Sequence, residues 1–84
     1  MSKYDIMTVL INHRKSEATQ VQHLLTKYGC NIKMRLGLHE TTNVCADDGL
    51  LILQLDGAQS DIEALEKGLG EVPGVEVKRI TIGS

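Results

Sequence analysis

An 84-residue chain with no Phe, no Trp and two Tyr must build its core from Leu, Ile, Val, Met and Ala. That length suits one domain over residues 1–84, and the missing aromatic area makes association with another subunit a natural way to bury more apolar surface. A formal net charge of -2, with both signs scattered along the chain, argues against nucleic acid or an anionic membrane as a partner.

Met1 to Asp5 lead directly into a strand-like run without the pattern of a signal peptide, and the longest apolar stretch falls far short of a membrane span. The cytoplasm is therefore the expected compartment. The two cysteines, Cys30 and Cys45, lack CxxC spacing, so no structural disulfide is expected.

The first predicted element is a strand from Tyr4 to Asn12, apolar at both parities as a central strand requires. Asn12 or Ser16 then caps a first helix, with Glu17 in its first turn; Ala18, Val21, Leu24, Leu25 and Tyr28 form the apolar face, and Gly29 stops it as a left-handed C-cap. Cys30 follows as a packed small side chain. From Asn31 to His39 apolar residues alternate with polar or small ones, the period of a strand with one buried face. A polar loop, Glu40 to Asp48, carries Cys45 and leads into Gly49 to Asp56, a strand covered on both faces.

Gln59 or Ser60 opens a second helix with Ile62, Leu65 and Leu69 inward and Gly70 as its stop. Pro73-Gly74 makes a turn, and Val75 to Ile82 alternates as a half-exposed fourth strand. The order is βαββαβ, an α+β ferredoxin-like sandwich. Right-handed crossovers place both helices on one face of an antiparallel sheet with strand order 4-1-3-2. The apolar residues on the other face of the central strands then need a cover, for which a second subunit is the simplest solution.

Several occupants of this architecture fail at their own sites. Base stacking needs aromatic residues where Leu51, Leu53 and Leu55 stand, and a soft-metal chaperone needs thiolates in the loop that reads Asn12-His13-Arg14-Lys15. An acylphosphatase-like hydrolase has a counterpart for its Arg in Arg14 but no Asn on strand three. Nitrogen-signalling trimers need a longer loop than Glu40 to Asp48. No catalytic constellation emerges, and a non-enzymatic role is expected.

Leu69-Gly70-Glu71-Val72-Pro73-Gly74-Val75 resembles the L-G-x-x-P-G-V approach to the last strand of ACT-like regulatory domains. Arg35-Leu36-Gly37 followed by an apolar third strand is most similar to the small stand-alone proteins designated iron-only hydrogenase system regulators. The resemblance implies an oligomeric regulator, a homodimer or homotetramer responding to a small-molecule effector. Asn12-His13-Arg14-Lys15 departs from the Pro- and Gly-containing turn of amino-acid-binding ACT domains, so an amino acid is not the implied effector.

A second similarity is to the C-terminal metal-sensing domain of nickel-responsive repressors, in which a strand-two His and a Cys six residues later ligate metal. His39 and Cys45 keep that spacing, but the family's additional strand-two His falls at Gly37, and near Thr26 the nearest His is His23. The resemblance implies a transition-metal site at His39 and Cys45, and the chemistry of Glu40 or Asp47 would complete a ligand set for Ni, Zn or Fe. The alternative reading has His39 as a hydrogen-bonded interface residue and Cys45 as a small loop side chain. By parity with Lys33, Arg35 and Gly37, His39 is expected on the side away from the helices, where a partner would sit. Arg35 would anchor an anionic effector or form an intersubunit ion pair, with Gly37 and His39 beside it. His13 and Arg14 at the start of helix one could hold an anion but are more often simply solvated there, and His23 is expected to be solvated.

Overall fold

The computed structural model describes residues 3–12, 18–38 and 48–83. Its elements in chain order are β1 (Lys3–Asn12), α1 (Ala18–Lys27), β2 (Ile32–Leu38), β3 (Asp48–Leu55), α2 (Gln59–Gly70) and β4 (Val75–Gly83). They form one four-stranded sheet in the order β2-β3-β1-β4, with every neighbouring pair antiparallel. This is the ferredoxin-like topology expected from the hydrophobic pattern.

Alternation on β1 divides the sheet into two faces. Met7, Val9 and Ile11 are buried toward the helices, and the residues between them point the other way. β3 adds Leu53 and Leu55; α1 contributes Val21 and Leu25; α2 contributes Ile62, Leu65 and Leu69, and Val72 closes the same cluster. Leu24 and Tyr28 pack at its margin. The helices pack tightly where Gly68 faces Leu24: a Cβ on residue 68 would lie 3.1 Å from Leu24 Cδ2.

The turns are built by specific local chemistry. Val75 N–H donates to Val72 O at 3.1 Å across Pro73-Gly74, with Gly74 at φ 80°; Pro then Gly in the central positions is the pattern of a type II turn. Asn12 N–H donates to Gly74 O at 2.9 Å and ties the end of β1 to this turn. Gly57, at φ 101°, follows β3 where Asn31 closes over it: Asn31 Nδ2 donates to Asp56 O at 3.1 Å, and Asp56 N–H donates to Asn31 O at 2.8 Å. A Cβ on residue 57 would lie 2.6 Å from Asn31 Nδ2, so both the conformation and the close approach demand glycine.

Two local expectations, for Gly29 and Cys30, are corrected. Gly29 does not end α1 in the left-handed region; the chain passes directly into a 3₁₀ turn, Gly29–Asn31, closed by Asn31 N–H donating to Tyr28 O at 2.9 Å. α2 ends at Gly70, as expected, without a positive φ, and the N–H of Glu71 donates to Lys67 O at 3.1 Å. Cys30 is exposed on the 3₁₀ turn instead of packed in the core.

The largest correction concerns β2. Ile32 pairs with Leu55 but Met34 pairs with Gln54, so Lys33 is an extra residue in an irregularity that shifts the register. Beyond it Arg35 pairs with Leu53 and Gly37 with Leu51, on the helix side, while Met34 and Leu36 take the open side. The inference that Arg35 and Gly37 face away from the helices assumed unbroken alternation and is reversed by that single residue.

Candidate regulatory surface

The face opposite the helices is the most distinctive feature of the molecule. Antiparallel register sets Ile82 beside Tyr4, Ile80 beside Ile6, and Lys78 beside Thr8 along β1 and β4. On the other flank Ile52 lies beside Thr8 and Leu36 beside Ile52. Tyr4 is 47% exposed, Leu10 41%, Met34 45%, Leu36 48%, Ile80 57% and Ile82 56%. Ile6, Leu50 and Ile52 are half-buried between them. Exposed apolar surface carries a hydration cost of about 25 cal/mol per Å², and large apolar patches are uncommon on soluble monomers. The charged positions on the described part of this face are Glu76 and Lys78 on the edge strand β4 and, by register, Asp48 at the start of β3.

Arg35 lies on the opposite, helix side of β2, but β2 is an edge strand and the side chain is exposed. It has no hydrogen-bond or ion-pair partner among the described residues. Gly37 is beside it with room to spare, since a Cβ there would make an ordinary 3.5 Å contact with Leu51 Cδ2. These two residues are neighbours on one edge and do not lie on the open face. His39, Glu40, Cys45 and Asp47 lie outside the described residues, as do His13, Arg14, Ser16 and Glu17. Among the described residues no three His, Cys, Asp or Glu side chains converge as a metal site.

The side-chain cluster that sequence reasoning missed is centred on Asp5, which is only 5% exposed. Thr81 Oγ1 donates to its Oδ1 at 2.7 Å and Gln59 Nε2 donates to its Oδ2 at 3.1 Å. Arg79 Nη1 donates to Gln59 Oε1 at 3.4 Å, and Arg79 Nε pairs with Glu66 Oε1 at 3.1 Å. The Thr81 hydrogen bond is the main influence holding the Asp5 carboxyl below its ordinary pKa; burial opposes it, and Gln59, Lys3 and Arg79 add to the lowering. A usable signal was present, because Asp5 shares its parity with Met7, Val9 and Ile11. Gln59 opens α2, as expected, with Ala58 as the N-cap, and its side-chain amide turns to the Asp5 carboxylate.

A shallow groove of about 510 Å³ runs between α1 and the end of α2, with Leu24, Gly68 and Val72 as its apolar part and His23 and Glu71 among its polar lining. His23 is exposed, as expected. No described helix is long and apolar enough to cross a membrane.

An antiparallel sheet covered by helices on one side and apolar on the other defines a small α+β domain of ferredoxin-like, PII-like architecture. The chain belongs to the TM1266-like family, described as "Iron-only hydrogenase system regulator, putative", whose model matches residues 3–79. Uncharacterized protein TM1266 from Thermotoga maritima has the same fold at a TM-score of 0.83 and 26% identity, covering 98% of this chain and 100% of that one. CPII, a nitrogen regulatory PII-like protein from Thiomonas intermedia K12 solved with ADP, AMP and bicarbonate, superposes with a TM-score of 0.59 at 12% identity, covering 99% and 93%. At that identity the likeness is one of architecture alone. No curated protein matches the chain.

Proposed function

We propose that this chain is a non-enzymatic, cytoplasmic regulatory subunit that works as a homodimer or homotetramer, and that a bound effector changes its action by favouring one assembly over another. The observation that carries this reading is the apolar open face of the sheet, with Ile80 and Ile82 more than half exposed at 57% and 56%. Membership of a family described as regulatory supports it. The effector is a small anion-bearing molecule held at the β2 edge by Arg35, with Gly37 allowing close approach and His39 completing the contact. Linkage requires such a molecule to bind one quaternary arrangement more tightly than another.

Size-exclusion chromatography with light scattering tests the assembly directly. The expected mass at micromolar concentration is that of a dimer or tetramer, and a monomer would remove the mechanism. For the effector, a panel of anionic metabolites screened by thermal shift should yield stabilisation that Arg35→Ala abolishes; stabilisation unchanged in that variant would exclude Arg35 as the contact.

A further inference from the structure

We infer that the open sheet face is covered by the same face of a second copy, related by a two-fold axis crossing β4 at Val77, so that Glu76 of each copy meets Lys78 of the other. This rests on the oligomeric reading above and gives its partner and register. The described face is aliphatic apart from Tyr4, a few neutral polar residues and three charged positions: Glu76 and Lys78, two residues apart on β4, and Asp48 at the start of β3 beside Asn12. Neither Glu76 nor Lys78 has an ion-pair partner among the described residues. A nucleic-acid or anionic-lipid partner would call for surplus positive charge, and a strongly charged protein for a surplus of the opposite sign. An acid and a base two residues apart on one strand, as Glu76 and Lys78 are on β4, form a pair complementary to itself turned over.

The geometry selects the register. A two-fold axis lying in the interface and running across the strands reverses strand direction while leaving each strand above its own counterpart. With the axis at Val77, Lys78 lies over Glu76 of the second copy, and the same operation sets Thr8 over Leu10 and Ile52 over Leu50, because these residues share rows with Lys78 and Glu76. Moving the axis to Lys78 would oppose two lysines, and moving it to Glu76 would oppose two carboxylates. Both lose the pairing and desolvate like charges. Two sheets stacked this way, about 10 Å apart, bury aliphatic rows against each other as in a β-sandwich.

The test uses the full chain carrying Glu76→Lys or Lys78→Glu, each alone, both together, and the two single variants mixed. Analytical ultracentrifugation at micromolar concentration reads the assembly, with circular dichroism checking the fold. Each single variant should weaken association by at least roughly ten-fold, since two like-charge contacts replace two ion pairs. The combined variant should recover it, and the mixture should form a heterodimer tighter than either parent. Recovery by mixing cannot come from misfolding. Ile52→Lys, with its side chain on the open face, should also dissociate the assembly. A wild-type oligomer indifferent to all of these changes would place the contact elsewhere and overturn this inference while sparing the regulatory reading. A monomeric wild type would overturn both.

Discussion

Replacing Asp5 by Asn tests whether charge, and not only shape, holds the start of β1 beneath α2. Asn has nearly the same volume, but one of its two terminal atoms becomes a donor facing Thr81 Oγ1 or Gln59 Nε2, which donate to the carboxylate at 2.7 and 3.1 Å. Losing one charge-assisted hydrogen bond costs roughly 1.5–3 kcal/mol. For an 84-residue domain the total stability is on the order of 4–13 kcal/mol, so the loss is a large share of it. A loss of about 2 kcal/mol would lower Tm by roughly 8–16 °C.

The pH dependence separates charge from packing. The folded-state pKa of Asp5 lies below the ordinary 3.8, so its stabilising contribution is complete above the unfolded-state value and disappears as pH falls through the folded one. Urea unfolding of both proteins, at one fixed protein concentration because assembly contributes to stability, should give a constant gap from pH 7 to pH 5. That gap should close as the pH drops below about 4. Equal stabilities at pH 7, or a gap that persists unchanged in acid, would refute an ionised Asp5 as a structural bracket.

Gly57→Ala should destabilise the fold by about 1–3 kcal/mol in thermal or urea unfolding, because φ 101° disfavours a side chain and Asn31 Nδ2 must give up its place. Gly68→Leu should cost about 1–3 kcal/mol by the same assays, since a branched side chain would push Leu24 and α1 away from α2. For the metal expectation, protein purified without a His tag should retain Ni, Zn or Fe that a His39→Ala/Cys45→Ala variant lacks; negligible metal in both would end it.

Much of the architecture was legible because its signals are local and periodic. Met7, Val9 and Ile11 alternate with Ile6, Thr8 and Leu10, and Ile62, Leu65 and Leu69 recur at helical spacing, so strand, helix and both sheet faces follow from counting. Pro73-Gly74 was readable as a turn because its two residues supply the required backbone angles. Arg35 was assigned to the wrong side because no residue type announces an extra strand residue at Lys33, and one such residue inverts everything after it. The Asp5 cluster depends on residues 54 and 76 positions away along the chain, which composition and periodicity do not bring together. Gly29 looked like a helix stop by type, yet the 3₁₀ turn used it without a positive φ.

The strand order has a consequence for how the molecule comes into being. β1 leaves the ribosome before β3 and β4 but lies between them, so neither of its ladders can form until much of the chain that follows it has emerged. Until Thr81 arrives, the Asp5 carboxylate has nothing on β4 to receive it, and the earliest strand waits on the latest. Such a chain closes late and as a unit, and a nascent segment ending before β4 exposes an unpaired, largely aliphatic strand for chaperones to hold.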